Sequence, residues 1–271
     1  PPEGRGPGLR AVPAFVTLAA LLALSPSPGR TASPPPIRLV VIDQRTQQLY
    51  GPLPWPRDRL AAMVSLLAQA KARAIVLRFY FRDSRNDAGD RALVRAAAAH
   101  GHVFVEMVKA DAPQGWQAPE EWLDRMALKA TGGLPRQAVT AAHVQLPFEE
   151  LARAVRGVGS VDVFVDRQDR LRSLPLAVRY QGRIFPSLAL RVFLDVAGLE
   201  AEPLRLEVQQ EKRYGLFNAD KGGRLFIGKR RVGMDAQGCA YVNLSATGAY
   251  TPRSFADVLR GTVPARTFRD A

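Results

Sequence analysis

The segment Leu53-Pro54-Trp55-Pro56-Arg57-Asp58 separates a strand-like run at residues 37–42 from a stretch with helical periodicity at residues 59–73. The run Ile-Arg-Leu-Val-Val-Ile is rich in β-branched residues and is followed by Asp43, which predicts a buried strand. Residues 59–73 carry apolar side chains at helical spacing, and Pro56 suits the first turn of a helix. Together these features predict a strand, a turn and a helix.

The same order of elements recurs immediately downstream. Residues 74–81 and 102–108 are strand-like, and the Ala-rich residues 90–99 between them predict a helix that Asp87 or Asp90 would cap. Successive β-α-β units imply a largely parallel sheet with right-handed crossovers.

The remaining residues alternate helix and strand before they become hairpin-like. We predict helices near residues 120–130, 148–156, 187–197 and 254–259, and strands at 160–165, 174–180 and 183–185. Gly157 and Gly159 are expected to stop the second of these helices, and Pro186 to lie in the first turn of the third, beside Ser187. Strands at 204–208, 224–232 and 239–244 predict an antiparallel region. The fold class is therefore α/β, with a mixed, largely parallel sheet flanked by helices and a C-terminal antiparallel hairpin region.

The chain is basic, with a formal charge of +13 over 271 residues. A nucleic acid or an anionic membrane surface is a possible partner for such a charge. The cations are mostly Arg and are scattered singly, whereas a nucleic-acid footprint gathers them on one face with aromatic residues between them. The densest group, Lys229-Arg230-Arg231, is typical of a solvated hairpin edge, so the pattern argues against nucleic acid.

Residues 1–36 differ from the rest of the chain. Arg5 and Arg10 precede an apolar stretch at residues 11–24, and Pro-, Ser- and small-residue segments follow. This order is typical of a secretory signal peptide, and the apolar stretch is shorter than the about 20 residues of a membrane span. An uncleaved membrane anchor and a disordered Pro-rich leader are the alternatives. The sequence has no initiator Met, so the N-terminus is expected to be incomplete.

Several stretches, taken in order, resemble the type-two CHASE domain, an extracellular sensory module found in front of cyclases, histidine kinases and serine/threonine kinases. They span residues 37–271 approximately. They are Val41-Ile-Asp43 with Pro54-Trp-Pro-Arg57 and Ala72-Arg-Ala-Ile-Val76; Gly157-Val-Gly159 with Asp166, Asp169 and Arg172; Phe185-Pro186-Ser187-Leu188; and Val242-Asn243-Leu244 with Phe255, Asp257, Gly261 and Val263-Pro264.

The resemblance implies a sensory domain at residues 37–271 that is truncated at its C-terminal end. Family members continue into another strand, then membrane helices and a cytoplasmic output domain, so this chain is expected to be a fragment or a detached sensor. The sequence departs from the family pattern at Gln44, where an acidic residue is common, and at Leu77-Arg78, where Phe-Asp is usual. The second departure reverses a charge at a position where the resemblance implies ligand contacts.

In open α/β sheets, ligands bind beyond the carboxyl ends of the strands. That rule predicts a ligand site from charged residues near the ends of the strands. The alternative interpretation is that these residues are ordinary solvated loop charges. The predicted site consists of Asp43, Arg57, Arg78, Arg82, Asp83 and Glu106. Trp55 with Pro54 and Pro56 is either part of a pocket or, as turn chemistry favours, a structural motif.

The other chemical motifs favour structure over catalysis. His100-x-His102 lacks a third metal ligand at fixed spacing, and the acidic trio Asp83, Asp87 and Asp90 fails the calcium-loop pattern. Gly157-x-Gly159 lacks the third glycine of a dinucleotide fingerprint. We expect the turn Asp166 to Asp169 with Arg172 to be structural.

No nucleophile and base suggest themselves, and Cys239 is the only cysteine. The sequence therefore predicts a non-enzymatic extracytoplasmic sensor without catalytic residues, metal or cofactor. Its signal would be an unknown small molecule or protein, and it would meet the membrane through a missing C-terminal segment or an N-terminal anchor. The alternative is a stand-alone secreted or periplasmic binding protein.

Overall fold

The computed structural model describes residues 37–165, 171–213, 217–242 and 250–271. Within these residues the helices are α1 (Gln44–Tyr50), α2 (Asp58–Gln69), α3 (Ala88–His100), α4 (Glu120–Met126), α5 (Glu149–Ala154), α6 (Leu188–Val196) and α7 (Phe255–Leu259). The strands are β1 (Val40–Val41), β2 (Ile75–Leu77), β3 (Val103–Ala110), β4 (Ala130–Gly132), β5 (His143–Gln145), β6 (Gly157–Ser160), β7 (Phe164–Val165), β8 (Leu171–Pro175), β9 (Ala177–Tyr180), β10 (Arg183–Pro186), β11 (Leu204–Arg213), β12 (Phe217–Ile227), β13 (Arg230–Met234), β14 (Cys239–Tyr241) and β15 (Arg253–Ser254).

The central sheet consists of β2, β3 and β6, which are parallel, with β5 antiparallel to the end of β3. The helices α2, α3 and α5 lie over one face, and their apolar stripes bury Val64, Leu93 and Leu151 against Val103 and Val105. Asp87 caps α3 by accepting a hydrogen bond from the Asp90 amide at 2.7 Å. The α/β prediction is confirmed.

Helix α6 covers the opposite face of the central sheet. Leu188 and Val192 pack on Phe104, which is fully buried. The approach is close because β6 contains glycine where α6 crosses it: an ideal Cβ added to Gly159 would lie 2.4 Å from the Leu188 Cα, and one added to Gly157 would lie 2.8 Å from the Arg191 Cδ.

Two local predictions around this contact were wrong. Gly157 and Gly159 do not stop a helix, because they lie inside β6, and the helix before them ends at Ala154. Pro186 is the last residue of β10, and Ser187 caps α6 by accepting from the Leu190 amide. The two glycines allow α6 to pack closely on β6. A Gly-x-Gly pattern in the sequence does not by itself distinguish a close helix–strand contact from a turn that ends a helix.

The predicted C-terminal antiparallel region is present as the sheet β13-β12-β11-β4. The strand predicted at 224–232 is instead the two arms of a hairpin, because the chain turns between Ile227 and Arg230, with Gly228 at a φ of 55°. Leu206, Leu225 and Ile227 form a second core with Leu190 of α6. Lys229-Arg230-Arg231 lies exposed at that turn, as expected of a hairpin edge.

Strand β1 does not extend the central sheet, contrary to the prediction of a first β-α-β unit. It pairs in parallel with β15, Val40 opposite Arg253, and within the described residues that is its only strand partner. Residues 37–42 are half-buried or exposed rather than buried. A β-branched run predicts a strand, but its composition does not specify the neighbour.

Among the helices of the described part of the chain, none has both the length and the apolar character that a membrane crossing requires. The predicted signal peptide or anchor at residues 1–36 lies outside the described residues.

Gly159→Ala tests the close contact between α6 and β6. The new methyl group would meet the helix backbone rather than a flexible side chain, so we expect a loss of at least about 3 kcal/mol of stability, at the upper end of overpacking costs. That loss corresponds to roughly 6–12 °C in the midpoint of thermal unfolding. Gly233→Ala, in β13 with open space around it, is the matched control and should change the midpoint by about 2 °C or less. Equal effects of the two substitutions would contradict the packing role.

Candidate functional site

The carboxyl ends of the three parallel strands bring a small group of polar residues together. In the register of the central sheet, Leu77 lies opposite Val105, and Glu106 lies opposite Gly159. Arg78 directly follows β2, and Ser160 ends β6. Because side chains alternate along a strand, Glu106 shares the face of Phe104, under α6. Arg78 therefore meets Glu106 at the end of the sheet where open α/β folds bind ligands.

Arg78 and Glu106 form an ion pair that is short of hydrogen bonds. The Arg78 Nη1 lies 3.0 Å from the Glu106 Oε2, and the Glu106 side chain is only 7% exposed. The contact lacks hydrogen-bond geometry, and the buried Nε and Nη1 of Arg78 have no hydrogen-bond partner within the described residues. A partly buried guanidinium with unused N–H donors can bind a second anionic group in the plane of its fork.

Burial dominates the titration of both partners. It raises the pKa of Glu106, and the positive charge of Arg78 opposes that change. It lowers the pKa of the Arg78 guanidinium, and Glu106 opposes that change in turn. The pair is therefore two desolvated charges that depend on each other, the kind of environment in which binding residues are found.

Ser160 and Asp162 complete this edge of the sheet and were not predicted. The Ser160 hydroxyl donates to the Asp162 carboxylate, and the Asp162 amide donates back to the Ser160 oxygen at 3.2 Å. Ser160 is buried. Assigning Gly157 and Gly159 to a strand, as glycine at a close helix contact permits, would have placed Ser160 at the strand's end.

Arg57 makes no hydrogen bond or ion pair to the Arg78–Glu106 pair within the described residues, and it links two helices instead. Its Nη1 lies 2.6 Å from the Asp90 Oδ1, its Nη2 donates to the Asp83 carbonyl at 2.6 Å, and its guanidinium stacks on Phe148 with 4.6 Å between its central carbon and the ring centre. Arg57 and Asp90 are both nearly fully buried. Burial works against the ionised Asp90, but hydrogen bonds from the Arg85 amide, Arg57 and Ser84 outweigh it, and its pKa is lowered. These contacts occupy Arg57.

Asp43 lies between α1 and β15, away from the Arg78–Glu106 pair. Its Oδ1 accepts hydrogen bonds from the Thr46 amide at 2.8 Å, the Thr46 hydroxyl at 2.6 Å and the Ser254 hydroxyl at 3.0 Å. The bond from the Thr46 hydroxyl is the main reason that its pKa is lowered. Asp43 thus caps α1 and ties it to β15, and none of these partners lies on β2 or β3.

Arg82 and Asp83 pair with each other at 2.7 Å, and both side chains are largely exposed. Of the six residues predicted to bind ligand, the structure brings Arg78 and Glu106 together, links Arg57 to the Asp83 backbone, and leaves Asp43 among its own partners. The carboxyl-end rule found the edge of the central sheet, but it also collected Asp43, since it assumed that β1 lies beside β2.

Trp55 of the Pro54-Trp55-Pro56 motif packs into the core, whereas both prolines are exposed. Trp55 is buried, its indole nitrogen donates to the Gly51 carbonyl at 2.8 Å, and its ring contacts Phe255 with 5.3 Å between ring centres. The peptide bond before Pro54 is cis. Of the other predicted structural residues, Asp166 and Asp169 lie outside the described residues, and Arg172 is on the exposed side of β8.

The two histidines of the His100-x-His102 motif lie at the opposite end of the central sheet. His102 Nδ1 lies 2.8 Å from the Asp195 Oδ2, and Arg156 bridges the same carboxylate to Glu200. The described residues contain no group of three or more His, Cys, Asp or Glu side chains able to hold a metal ion. Cys239 is buried, and burial raises the pKa of its thiol to about 12, which disfavours a reactive thiolate.

A cavity of about 620 Å³ opens beside β2. Its wall is mainly apolar and comes from residues 37–42, residues 53–55, β2, α2 and α6. Pro54 and Trp55, which the sequence offered as possible pocket residues, are thus part of this wall. Four arginines but no Asp or Glu side chain of the described residues line it; the arginines are Arg38, Arg57, Arg78 and Arg85. Arg78 thus borders an apolar space, and Glu106 lies behind it.

One comparison with known proteins gives a match. A family model described as the CHASE2 domain matches residues 14–271, nearly the whole chain. No curated protein and no solved structure matches the sequence significantly.

Arg78→Met should destabilise the chain more at pH 7 than at pH 4.5. The substitution leaves Glu106 buried without its counter-ion, a loss of about 3 kcal/mol when the carboxylate is ionised. The pKa of Glu106 is already raised and should rise further, so at pH 4.5 the carboxyl is protonated and its partner matters less. Chemical denaturation at the two pH values measures the difference. Adding Glu106→Gln should abolish the pH dependence, and a pH-independent loss in the single variant would contradict the coupling.

Arg57→Met should cost about 3–5 kcal/mol, because it leaves the buried Asp90 carboxylate unpaired. Asp90→Asn in the same chain removes that charge and should recover part of the loss. Arg95→Met, an exposed position on α3, is the control and should change stability by about 0.5 kcal/mol or less. A urea-denaturation double-mutant cycle measures the coupling, and simple additivity of the two losses would contradict it.

Proposed function

Because this chain belongs to the CHASE2 domain family, whose members are extracellular sensory domains of signalling receptors, we propose that it is the extracytoplasmic sensor of a bacterial-type receptor. Membrane helices would connect it to a cyclase or kinase output domain. The observation that carries the proposal is the family match over residues 14–271. The family is sensory rather than catalytic. The function to be explained is therefore the binding of a ligand and the signal that this binding sends to the output domain.

The Arg78–Glu106 pair is the ligand site that we propose for this sensor. Three observations support it: the pair lies at the carboxyl end of the central sheet, both partners are desolvated, and Arg78 has buried donors that no described residue satisfies. A carboxylate or phosphate group would fit the guanidinium fork. The wall beside it is apolar and has no acidic side chain among the described residues, which favours a small organic anion over a cation.

Exchange of partners at Arg78 provides the two states that a sensor needs. Without ligand, Glu106 holds the guanidinium in an ion pair that is poor in hydrogen bonds. An anion that binds Arg78 displaces Glu106, which then takes up a proton or turns toward solvent. A ligand shifts the equilibrium only by the difference between its affinities for the two states, about 1.4 kcal/mol for each tenfold ratio.

A thermal-shift screen of small carboxylates and phosphates against the full chain tests the binding site. We expect at least one compound to raise the unfolding midpoint of the wild type by about 3 °C or more. Arg78→Met should lose that shift, and Arg82→Met, which removes a nearby exposed Arg, should keep it. If compounds stabilise the wild type and Arg78→Met equally, the site is elsewhere.

Coupling to an output domain is tested at the level of the gene. The reading frame beyond residue 271 should encode membrane helices and a cyclase or kinase domain. A phosphatase that is active only outside the cytoplasm, fused after residue 271 behind the native leader, should show activity in cells. A stop codon at that point together with an active fusion would favour the secreted or periplasmic binding protein instead, and an inactive fusion would contradict both.

A further inference from the structure

The cavity beside β2 is much larger than the anionic group that Arg78 can hold. At about 30 Å³ for each small heavy-atom group, the volume of a water molecule in the liquid, a cavity of about 620 Å³ has room for about 20 such groups. A carboxylate of two carbons would fill about a fifth of that space. The ligand that fits the cavity therefore carries a substantial part besides its charged group.

The wall away from Arg78 is apolar on both helical sides. Leu60 and Met63 of α2 line one side, and Leu188 and Val192 of α6 line the other. An aliphatic chain between these side chains would withdraw apolar surface from water on both partners, which favours binding. A small inorganic anion would gain nothing from this part of the wall.

Three of the four arginines that line the cavity already have hydrogen-bond partners. Each donates to a backbone carbonyl group: Arg38 to Thr267 at 2.9 Å, Arg57 to Asp83 at 2.6 Å, and Arg85 to Trp55 at 3.2 Å. Arg78 differs, because its buried Nε and Nη1 have no hydrogen-bond partner among the described residues. These contacts favour a ligand with one anionic group, bound at Arg78.

Two of the side chains that line the cavity are large, apolar and exposed to solvent. Leu53 is 48% exposed and Tyr80 is 72% exposed. Tyr80 lies two residues after Arg78 in the sequence, so apolar surface is available on the side of the cavity where the charged group would bind. Exposed apolar surface around a cavity is typical of a site for a partly apolar ligand.

The length of β2 limits the length of an aliphatic chain in the cavity. Residues 74–78 line it from the amino end of β2 to Arg78, a distance of about 13 Å at the rise of a strand. At the amino end, Val196 of α6 also lines the cavity, and its carbonyl accepts a hydrogen bond from Arg73 at 2.6 Å. An extended chain advances about 1.2 Å per bond, so this distance accommodates about ten to twelve carbons.

We propose that the ligand of this site is an unbranched aliphatic monocarboxylate of about ten to twelve carbons. Its carboxylate replaces Glu106 at Arg78, and its chain lies along β2 between α2 and α6. The proposal names the ligand class of the anion site and therefore rests on the function proposed above.

A series of straight-chain carboxylates tests the aliphatic chain. Isothermal titration calorimetry against the full chain, below the micelle concentration of each compound, measures the dissociation constants. Affinity should rise about fourfold for each added CH₂ group, so decanoate should bind about 200-fold more tightly than hexanoate. The gain should stop at about twelve carbons. Equal affinities for hexanoate and decanoate, both lost in Arg78→Met, would overturn this proposal and leave the anion site standing.

Decanol tests the charged group separately from the aliphatic chain. The wild type should bind decanoate at least about tenfold more tightly than decanol, because only the carboxylate makes charge-assisted hydrogen bonds to Arg78. In Arg78→Met this difference should disappear. If decanol and decanoate bind the wild type equally and Arg78→Met changes neither affinity, both this proposal and the anion site at Arg78 are wrong.

Sebacate, which has a carboxylate at each end of a ten-carbon chain, tests the number of anionic groups. It should bind at least about tenfold more weakly than decanoate, because its second carboxylate would be buried without a free donor. Equal binding of the two compounds would contradict the apolar environment proposed for the end of the chain.

Ala74→Phe tests the position of the aliphatic chain by shortening the cavity at the amino end of β2. It should lower the affinity for dodecanoate at least about tenfold and change that for hexanoate by about twofold or less. Val196→Phe fills the same end from α6 and should act in the same way, so the test does not depend on the folding of one variant. Ala99→Phe, at an exposed position on α3, is the matched control and should change neither affinity. Unchanged binding of dodecanoate in both cavity variants would overturn the proposed position.

Discussion

The buried ion pair between Arg57 and Asp90 fixes the region on which the candidate site depends. It joins the start of α2 to the first turn of α3, and the second arm of the guanidinium holds the Asp83 carbonyl. Asp90 in turn accepts hydrogen bonds from the Ser84 hydroxyl and the amides of Arg85 and Asn86. The far part of the loop that leaves β2, residues 83–86, is thereby held in place. Arg78 stands at the start of this loop, so the pairing of β2 with β3 positions Arg78 and the Arg57–Asp90 pair anchors the segment that follows it.

A buried ion pair contributes little net stability, since desolvation offsets most of the attraction. Its value here lies in geometry. Phe81 and Phe148 lie against the Arg57 guanidinium, so the charge is held in a fixed plane. The Pro-Trp-Pro segment brings Arg57 into that plane because Trp55 is anchored to the Gly51 carbonyl and to Phe255. The segment thus supports the sheet end, and its Pro54 and Trp55 also line the cavity beside Arg78.

The sequence predicts elements better than neighbours. Periodicity located α2, α3 and β3, and the carboxyl-end rule identified Arg78 and Glu106. The pairing of β1 with β15 was missed because it depends on a contact between distant segments, which composition does not encode. The turn between Ile227 and Arg230 is local, but Gly228-Lys229 is not one of the residue pairs that usually mark a two-residue hairpin turn. Asp43 entered the predicted site for the same reason that the pairing of β1 was missed: it follows a strand, but that strand does not border the sheet that holds Arg78.

The basic composition has a partly internal explanation. Besides Arg57 and Arg78, Arg179 donates to the Pro135 carbonyl, and Arg191 donates to the Met126 carbonyl beneath α6. Such arginines tie neighbouring segments together, because a planar fork with several donors can satisfy backbone carbonyls that no strand reaches. A formal charge of +13 therefore overstates the cations available to an external partner.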